Sequence, residues 1–176
     1  MCEGDGMLEA RTPVEQLNEL IGDLKVAILT TVQPNGMLYS CPMATQEADV
    51  EGHLWFYTGT NTDKVDAIRE NPNVCVAYAD PDGQRYVSVS GVAELQNNPE
   101  KKKERWNPLY TAWFPQGLDD PKLIMIKIRI TDVEYWNAPE GKMVQLSGFA
   151  KAAITGERYQ PTAYREIEFP QNRTTR

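Results

Sequence analysis

LWFYTGTNTDK, residues 54–64, is the stretch on which the reading of this chain turns. Its first part, LWFYT (54–58), is aromatic and apolar and suits a strand. The period then changes. NTDKVDAIREN (61–71) places Val65 and Ile68 on one face, with Asp63 and Asp66 near the start and Arg69 near the end. That charge order complements a helix dipole, and Asn71-Pro72 stops the helix. A strand-to-helix junction of this kind is suited to anions, because first-turn N–H groups lack intrahelical partners and carry partial positive charge. Thr58, Thr60 and Thr62 add hydroxyls, Gly59 permits close backbone approach, and Lys64 adds a full charge. Asp63 opposes an anion unless its carboxylate points away. The same residues also fit plain helix capping by Asn61 or Thr62, with Lys64 on the surface. Taken alone, they leave both readings open.

The flanking segments read as short strands joined by tight turns. PVEQLNELIGD (13–23) spaces Val14, Leu17, Leu20 and Ile21 as a helix, capped by Thr12 with Pro13 in its first turn. KVAILTTV (25–32) is a strand, Pro34-Asn35-Gly36 a turn, and a return strand runs from Met37 to about Glu47. Pro42 cannot donate to a ladder, which places that strand at an edge or at a bulge. NVCVAYA (73–79) and RYVSVSGVAEL (85–95) follow, and Gly91 predicts a bulge or a close backbone approach. Residues 99–114 predict a helix with Trp106, Leu109, Tyr110 and Trp113 on its apolar face, kinked or split at Pro108. In KLIMIKIRITDVEYW (122–136), Ile124, Ile126, Ile128 and Ile130 face one way and Lys127 and Arg129 the other. VQLSGFAKAAI (144–154) suggests a last helix, and YREIEFPQNRTTR (164–176) a loosely ordered tail. The pattern predicts a mainly β domain with peripheral helices, an antiparallel barrel. Residues 1–12 read as an N-terminal tail, 13–150 as the domain and 151–176 as a C-terminal extension.

Composition narrows the function. A chain of 176 residues with net charge −7 lacks the clustered Lys and Arg that bind phosphate backbones, so nucleic acid is not expected. The basic run Lys101–Lys103 reads as a solvated helix face. No apolar run approaches the roughly 20 residues that span a bilayer, and the acidic N-terminus does not resemble a signal peptide; the expectation is a cytoplasmic protein with no membrane contact. Three cysteines, Cys2, Cys41 and Cys75, form no disulfide framework or zinc pattern. The single histidine, His53, reads as a solvent-exposed turn residue, which sets aside His-centred triads and metal sites.

In order along the chain, AILTTVQPNGMLYSCPMATQ (27–46), LWFYTGTNTDKVDAIRENPNV (54–74), YADPDGQRYVSVSGVAEL (78–95), LYTAWFPQGLDDPKLIMIKI (109–128) and VEYWNAP (133–139) resemble the FMN-binding split-barrel superfamily of the pyridoxamine 5'-phosphate oxidases. AWFPQGLDDP (112–121) points to its general-stress-protein branch. The resemblance implies an antiparallel six-stranded split β-barrel and a homodimer with FMN, or alternatively FAD, at the subunit interface. By position it places Thr58, Thr62 and Lys64 at the flavin phosphate with Tyr57 beside them. Cys41, Pro42, Met43, Ala44 and Thr45 fall along the flavin ring, Tyr86 falls near the flavin, and Trp113 borders the site or the dimer interface.

There are departures from the family pattern. Cys41 stands where the family commonly has arginine, so an arginine restored there is expected to tighten FMN. Gln46 and Asp63 replace basic residues of the oxidases, and the oxidases' C-terminal arginine-and-histidine motif has no counterpart. Vitamin B6 oxidation is therefore not expected. The resemblance implies a stress-associated flavoprotein with flavin-dependent oxidoreductase activity on an unknown small substrate. Its alternatives are a non-catalytic flavin-binding or storage module, and a dimer that has lost flavin. No catalytic acid or base is assigned.

Overall fold

The computed structural model describes residues 11–137 and 163–169. It opens with α1 (Pro13–Ile21), whose first turn shows the chemistry written in its sequence. The Glu15 amide donates to Thr12 Oγ1 at 3.2 Å and the Thr12 amide to Glu15 Oε2 at 2.7 Å, a reciprocal capping box. Leu17 and Ile21 are fully buried against the sheet.

The strands are β1 (Val26–Val32), β2 (Leu38–Ala44), β3 (His53–Gly59), β4 (Asn73–Asp80), β5 (Arg85–Gln96), β6 (Leu123–Asn137) and β7 (Ala163–Ile167). Between them lie α2 (Asp63–Glu70), α3 (Pro99–Glu104) and two short 3₁₀ helices, Pro108–Ala112 and Gly117–Asp119. All ladders are antiparallel, and the sheet runs β2-β1-β4-β5-β6-β3 with β7 added to β6. The split β-barrel is therefore mainly β as expected, but it has seven strands rather than six. Its ends, β2 and β3, approach each other without forming a ladder, so the sheet stays open along one seam.

Alternation explains the core. Ala27 and Leu29 of β1, Val76 and Tyr78 of β4, Val87 and Val89 of β5, and Ile126, Ile128 and Ile130 of β6 share its interior. β6 pairs with β5 along one edge, and its length lets the other edge serve two strands: Leu123–Arg129 pairs with β3 and Val133–Asn137 with β7. The switch coincides with a register shift at Ser90/Gly91. A Cβ on Gly91 would lie 2.4 Å from Ile128 Cγ2 and 2.8 Å from the Arg129 carbonyl, so both predicted reasons for glycine hold there.

The 99–114 helix is split, as Pro108 predicts: α3 ends at Glu104, and Pro108, which has no N–H to continue an α-helix, begins a 3₁₀ turn capped by Asn107. Other expectations need correction. Leu109 and Trp113 then stay 73% and 68% exposed instead of forming an apolar buried face. The basic run is not uniformly solvated, because Lys102 is buried and its Nζ donates to the Leu123 carbonyl at 2.8 Å. His53 is not an exposed turn residue. It opens β3 with its side chain 12% exposed, and its Nδ1 lies 3.1 Å from Asp49 Oδ1. The first part of the segment read as a loose tail, Tyr164–Ile167, instead pairs with β6 within β7, with Ile167 in the core; residues 170–176 lie outside the described residues. The helix expected over 144–154 lies outside the described residues.

Candidate functional site

The open seam between β2 and β3 holds a cavity of about 440 Å³. Pro42–Ala44 of β2 and Tyr57–Gly59 of β3 form facing walls, Thr62 and Lys64 of α2 close one side, and Tyr110, Trp113 and Phe114 of the 3₁₀ segment close another. Strand ends that lack a ladder between them leave room for a ligand at this seam, and a split in the barrel is thereby a consequence of topology.

The start of α2 bears on both readings of 58–64. Thr62 holds the N-cap position but makes no side-chain cap. Its hydroxyl instead donates back to the Gly59 carbonyl at 3.1 Å and lies 3.4 Å from Thr58 Oγ1. No side chain caps α2 among the described residues; the Val65 and Asp66 amides donate to the Thr62 carbonyl at 2.9 and 3.3 Å, which leaves the Asp63 and Lys64 amides for another partner. Thr58 is 3% exposed and Lys64 half-buried, whereas Asp63 is exposed and does not line the cavity. The objection raised by an acid at position 63 is thus met by its direction. Among the described residues, Lys25 and Lys64 are the charged residues of the wall, and no carboxylate lines it. In a chain of net charge −7, this is a local reversal of sign.

Tyr57 projects into a small aromatic cluster, 5.1 Å from the Tyr110 ring and 5.5 Å from that of Trp106. Its hydroxyl donates to the Lys102 carbonyl at 2.5 Å. Burial, with Tyr110 close by, pushes its phenol up to about 12, so it stays protonated. Burial likewise pushes the Cys41 thiol up, while the Lys64 ammonium works the other way.

Of the residues singled out in the sequence, the cavity brings together Pro42, Met43, Ala44, Tyr57, Thr58, Thr62, Lys64 and Trp113. Cys41 is buried in the core cluster beneath this wall, its Sγ 3.9 Å from Met43 Sδ. Thr45 follows β2 outside the lining, with its amide on the Lys25 carbonyl. Tyr86 is 37% exposed on β5, opposite Trp136, and lines no part of this cavity within one chain. Lys25, Tyr110 and Phe114 are lining residues that the sequence reading missed. Tyr110 and Phe114 had been assigned to or beside a packed helix, and only the 3₁₀ turn at Pro108 directs them to the seam.

The model of the pyridoxamine 5'-phosphate oxidase-like family matches residues 12–160. The chain belongs to that family. General stress protein 26 of Bacillus subtilis is 31% identical over 137 residues, 75% of this chain and 94% of that protein. The structure of general stress protein 26 from Bacillus anthracis superposes with a TM-score of 0.62 at 26% identity, covering 69% of this chain and 91% of that one. A pyridoxamine 5'-phosphate oxidase-related, FMN binding protein from Nostoc punctiforme shares the fold with a TM-score of 0.55 at 16% identity, over 71% of this chain and 80% of that one.

A second polar groove lies across the molecule around Asp49, Glu51 and His53, whose ligand atoms fall within 4.8 Å of one another. Asp49 is already occupied there. It accepts from Trp55 Nε1 at 2.7 Å, from the Glu51 and His53 amides, and lies 4.0 Å from Arg105. Burial alone would raise its carboxyl, but the Trp55 and His53 hydrogen bonds outweigh that and hold it below the usual carboxylate range. Its role is to tie β3 to the segment that carries the cavity's aromatic wall. No helix of the described residues is long and apolar enough to cross a membrane.

Proposed function

We propose that the β2–β3 seam binds FMN, with the phosphate at Thr58, Thr62, Lys64 and the uncapped start of α2, and the ring along Pro42–Ala44. The observation that carries this reading is the arrangement around α2. A helix start without a side-chain cap, two threonine hydroxyls and two lysines, Lys25 and Lys64, line a largely apolar cavity whose described wall has no carboxylate. Family membership supports the same cofactor, and the Nostoc protein shows that this fold carries FMN elsewhere. The bound flavin would supply hydride chemistry, while the chain binds, orients and shields it. FMN is favoured over FAD because the anion site is built for a terminal phosphate.

The working form is a homodimer with flavin at the interface. The outward side chains of Val26–Thr30, Leu38–Ala44, Cys75–Ala79 and Tyr86–Ser90 form a continuous, uncharged sheet face. Val26 is 54% and Leu38 71% exposed within it. Val26, Pro42 and Ala44 belong both to this face and to the cavity wall, so a second copy seated there would cover the site.

The activity is that of a stress-associated, cytoplasmic flavoprotein acting as an oxidoreductase on a small substrate. A flavin carrier without turnover is the second reading, favoured because no carboxylate or imidazole lines the cavity among the described residues. Anaerobic mixing of the FMN-loaded protein with NADH or NADPH separates the two. Bleaching of the flavin band faster than free FMN supports the enzyme, and a rate equal to free FMN supports the carrier.

A further inference from the structure

Tyr110 stands apart from the rest of the aromatic wall because its hydroxyl is held by a donor. Gln46 Nε2 donates to Tyr110 Oη at 3.2 Å. A phenol oxygen that accepts still has its own proton to give, and no acceptor for that proton is found among the described residues. The ring itself is fixed. It packs 5.1 Å from Tyr57 and 5.7 Å from Trp106, and the Tyr110 amide donates to the Asn107 carbonyl at 2.9 Å. Tyr110 lines the cavity directly.

Its position relative to the cation matters. Lys64 acts on the Cys41 thiol, near the middle of β2, whereas Gln46 lies two residues beyond the end of that strand. Pro42–Ala44 lie between the two anchors and form the wall. At about 3.3 Å per residue of extended chain, Cys41 and Gln46 are separated by at most roughly 16 Å. The cavity wall therefore carries the Lys64 cation and the Tyr110 hydroxyl, with the apolar Pro42–Ala44 strand between the positions that they contact.

We infer that Tyr110 is the hydrogen-bond donor to the ring system of the bound flavin, and that Gln46 is the residue that positions it. The inference rests on the flavin reading above and extends it to the ring end of the site. Gln46 acts by donating to the phenol oxygen, which turns the O–H toward the cavity and polarises it. The ring acceptor then gains a neutral hydrogen bond in an apolar setting, worth roughly three- to ten-fold in affinity.

The test uses lumiflavin, which has the ring without the phosphorylated chain, alongside FMN, with affinities read from flavin fluorescence. Tyr110→Phe keeps the ring packing and removes the hydroxyl, so both ligands should weaken by the same factor, about three- to ten-fold. Gln46→Glu keeps the shape but can only accept, so it should draw the phenol proton away from the cavity and weaken lumiflavin comparably. In the Tyr110→Phe background, Gln46→Glu should cost lumiflavin nothing more. A purely structural role for Tyr110 predicts wild-type affinity for Tyr110→Phe, and that result overturns the inference. So does a Gln46→Glu loss that persists in the double variant, and this second arm remains informative if Tyr110→Phe misfolds. Failure of the wild-type protein to bind either ligand is a different outcome; it removes the flavin reading and this inference with it.

Discussion

Replacing Lys64 with alanine removes the cation at the start of α2 while leaving the neighbouring threonines in place. Two opposite unit charges about 4 Å apart interact with about 1 kcal/mol in water and about 4 kcal/mol at the effective dielectric of a protein surface. Lys64 is half-buried and lines the cavity, so its worth to a phosphate lies between these limits, about 2 kcal/mol. That is about a 30-fold loss of FMN affinity. Riboflavin shares the ring and the ribityl chain but has no phosphate, so its affinity should stay within about two-fold, the size of a minor packing change. Titration calorimetry with both ligands gives the two numbers directly. The FMN loss should also shrink as salt rises, because part of the interaction is screened. Equal weakening of FMN and riboflavin would refute the placement of the phosphate at this helix start.

Cys41→Arg was expected from the family pattern to tighten FMN; the burial of Cys41 argues for a different outcome. Cys41 is 8% exposed in the core cluster with Lys64 nearby, so an arginine there buries a guanidinium beside a like charge. A loss of about 3 kcal/mol, or roughly 10 °C in Tm, should appear in a thermal melt without any gain in FMN affinity. Asp49 gives the pH dependence. Its carboxyl is held below the usual range in the folded chain, so its contribution is fully present above the ordinary carboxylate range and is lost as pH falls through the depressed value. Asp49→Asn should therefore lower stability at neutral pH by about 2 kcal/mol and flatten the acid side of the profile, as measured by urea unfolding at a series of pH values. An unchanged acid slope would remove Asp49 from that role.

The fold was legible wherever local chemistry and alternation agree. Thr12 and Pro13 wrote the start of α1, the isoleucines of 124–130 wrote the inward face of β6, and Gly91 marked the bulge. The proposed phosphate side of the site was legible as a set of residue types, but capping and anion binding use the same residues, and the sequence does not show that the Thr62 hydroxyl turns to the Gly59 carbonyl instead of capping α2. Three features were hidden because they depend on distant partners. β7 forms only because β6 is long enough to pair with β3 and β7 at once. His53 is buried by Asp49 in the folded chain, although a histidine at a turn has no local reason to be. Tyr110 reaches the seam because Pro108 forces a 3₁₀ turn whose side-chain directions a helical periodicity misplaces.

Titration of FMN into the purified protein, following flavin fluorescence and the thermal midpoint together, tests the central claim most directly. The account predicts saturable quenching with one FMN per chain. At about 100 times Kd it also predicts a stabilisation of about 2.7 kcal/mol, which raises Tm by roughly 5–11 °C for a chain of this size. Unquenched fluorescence with an unmoved midpoint at high FMN would contradict it.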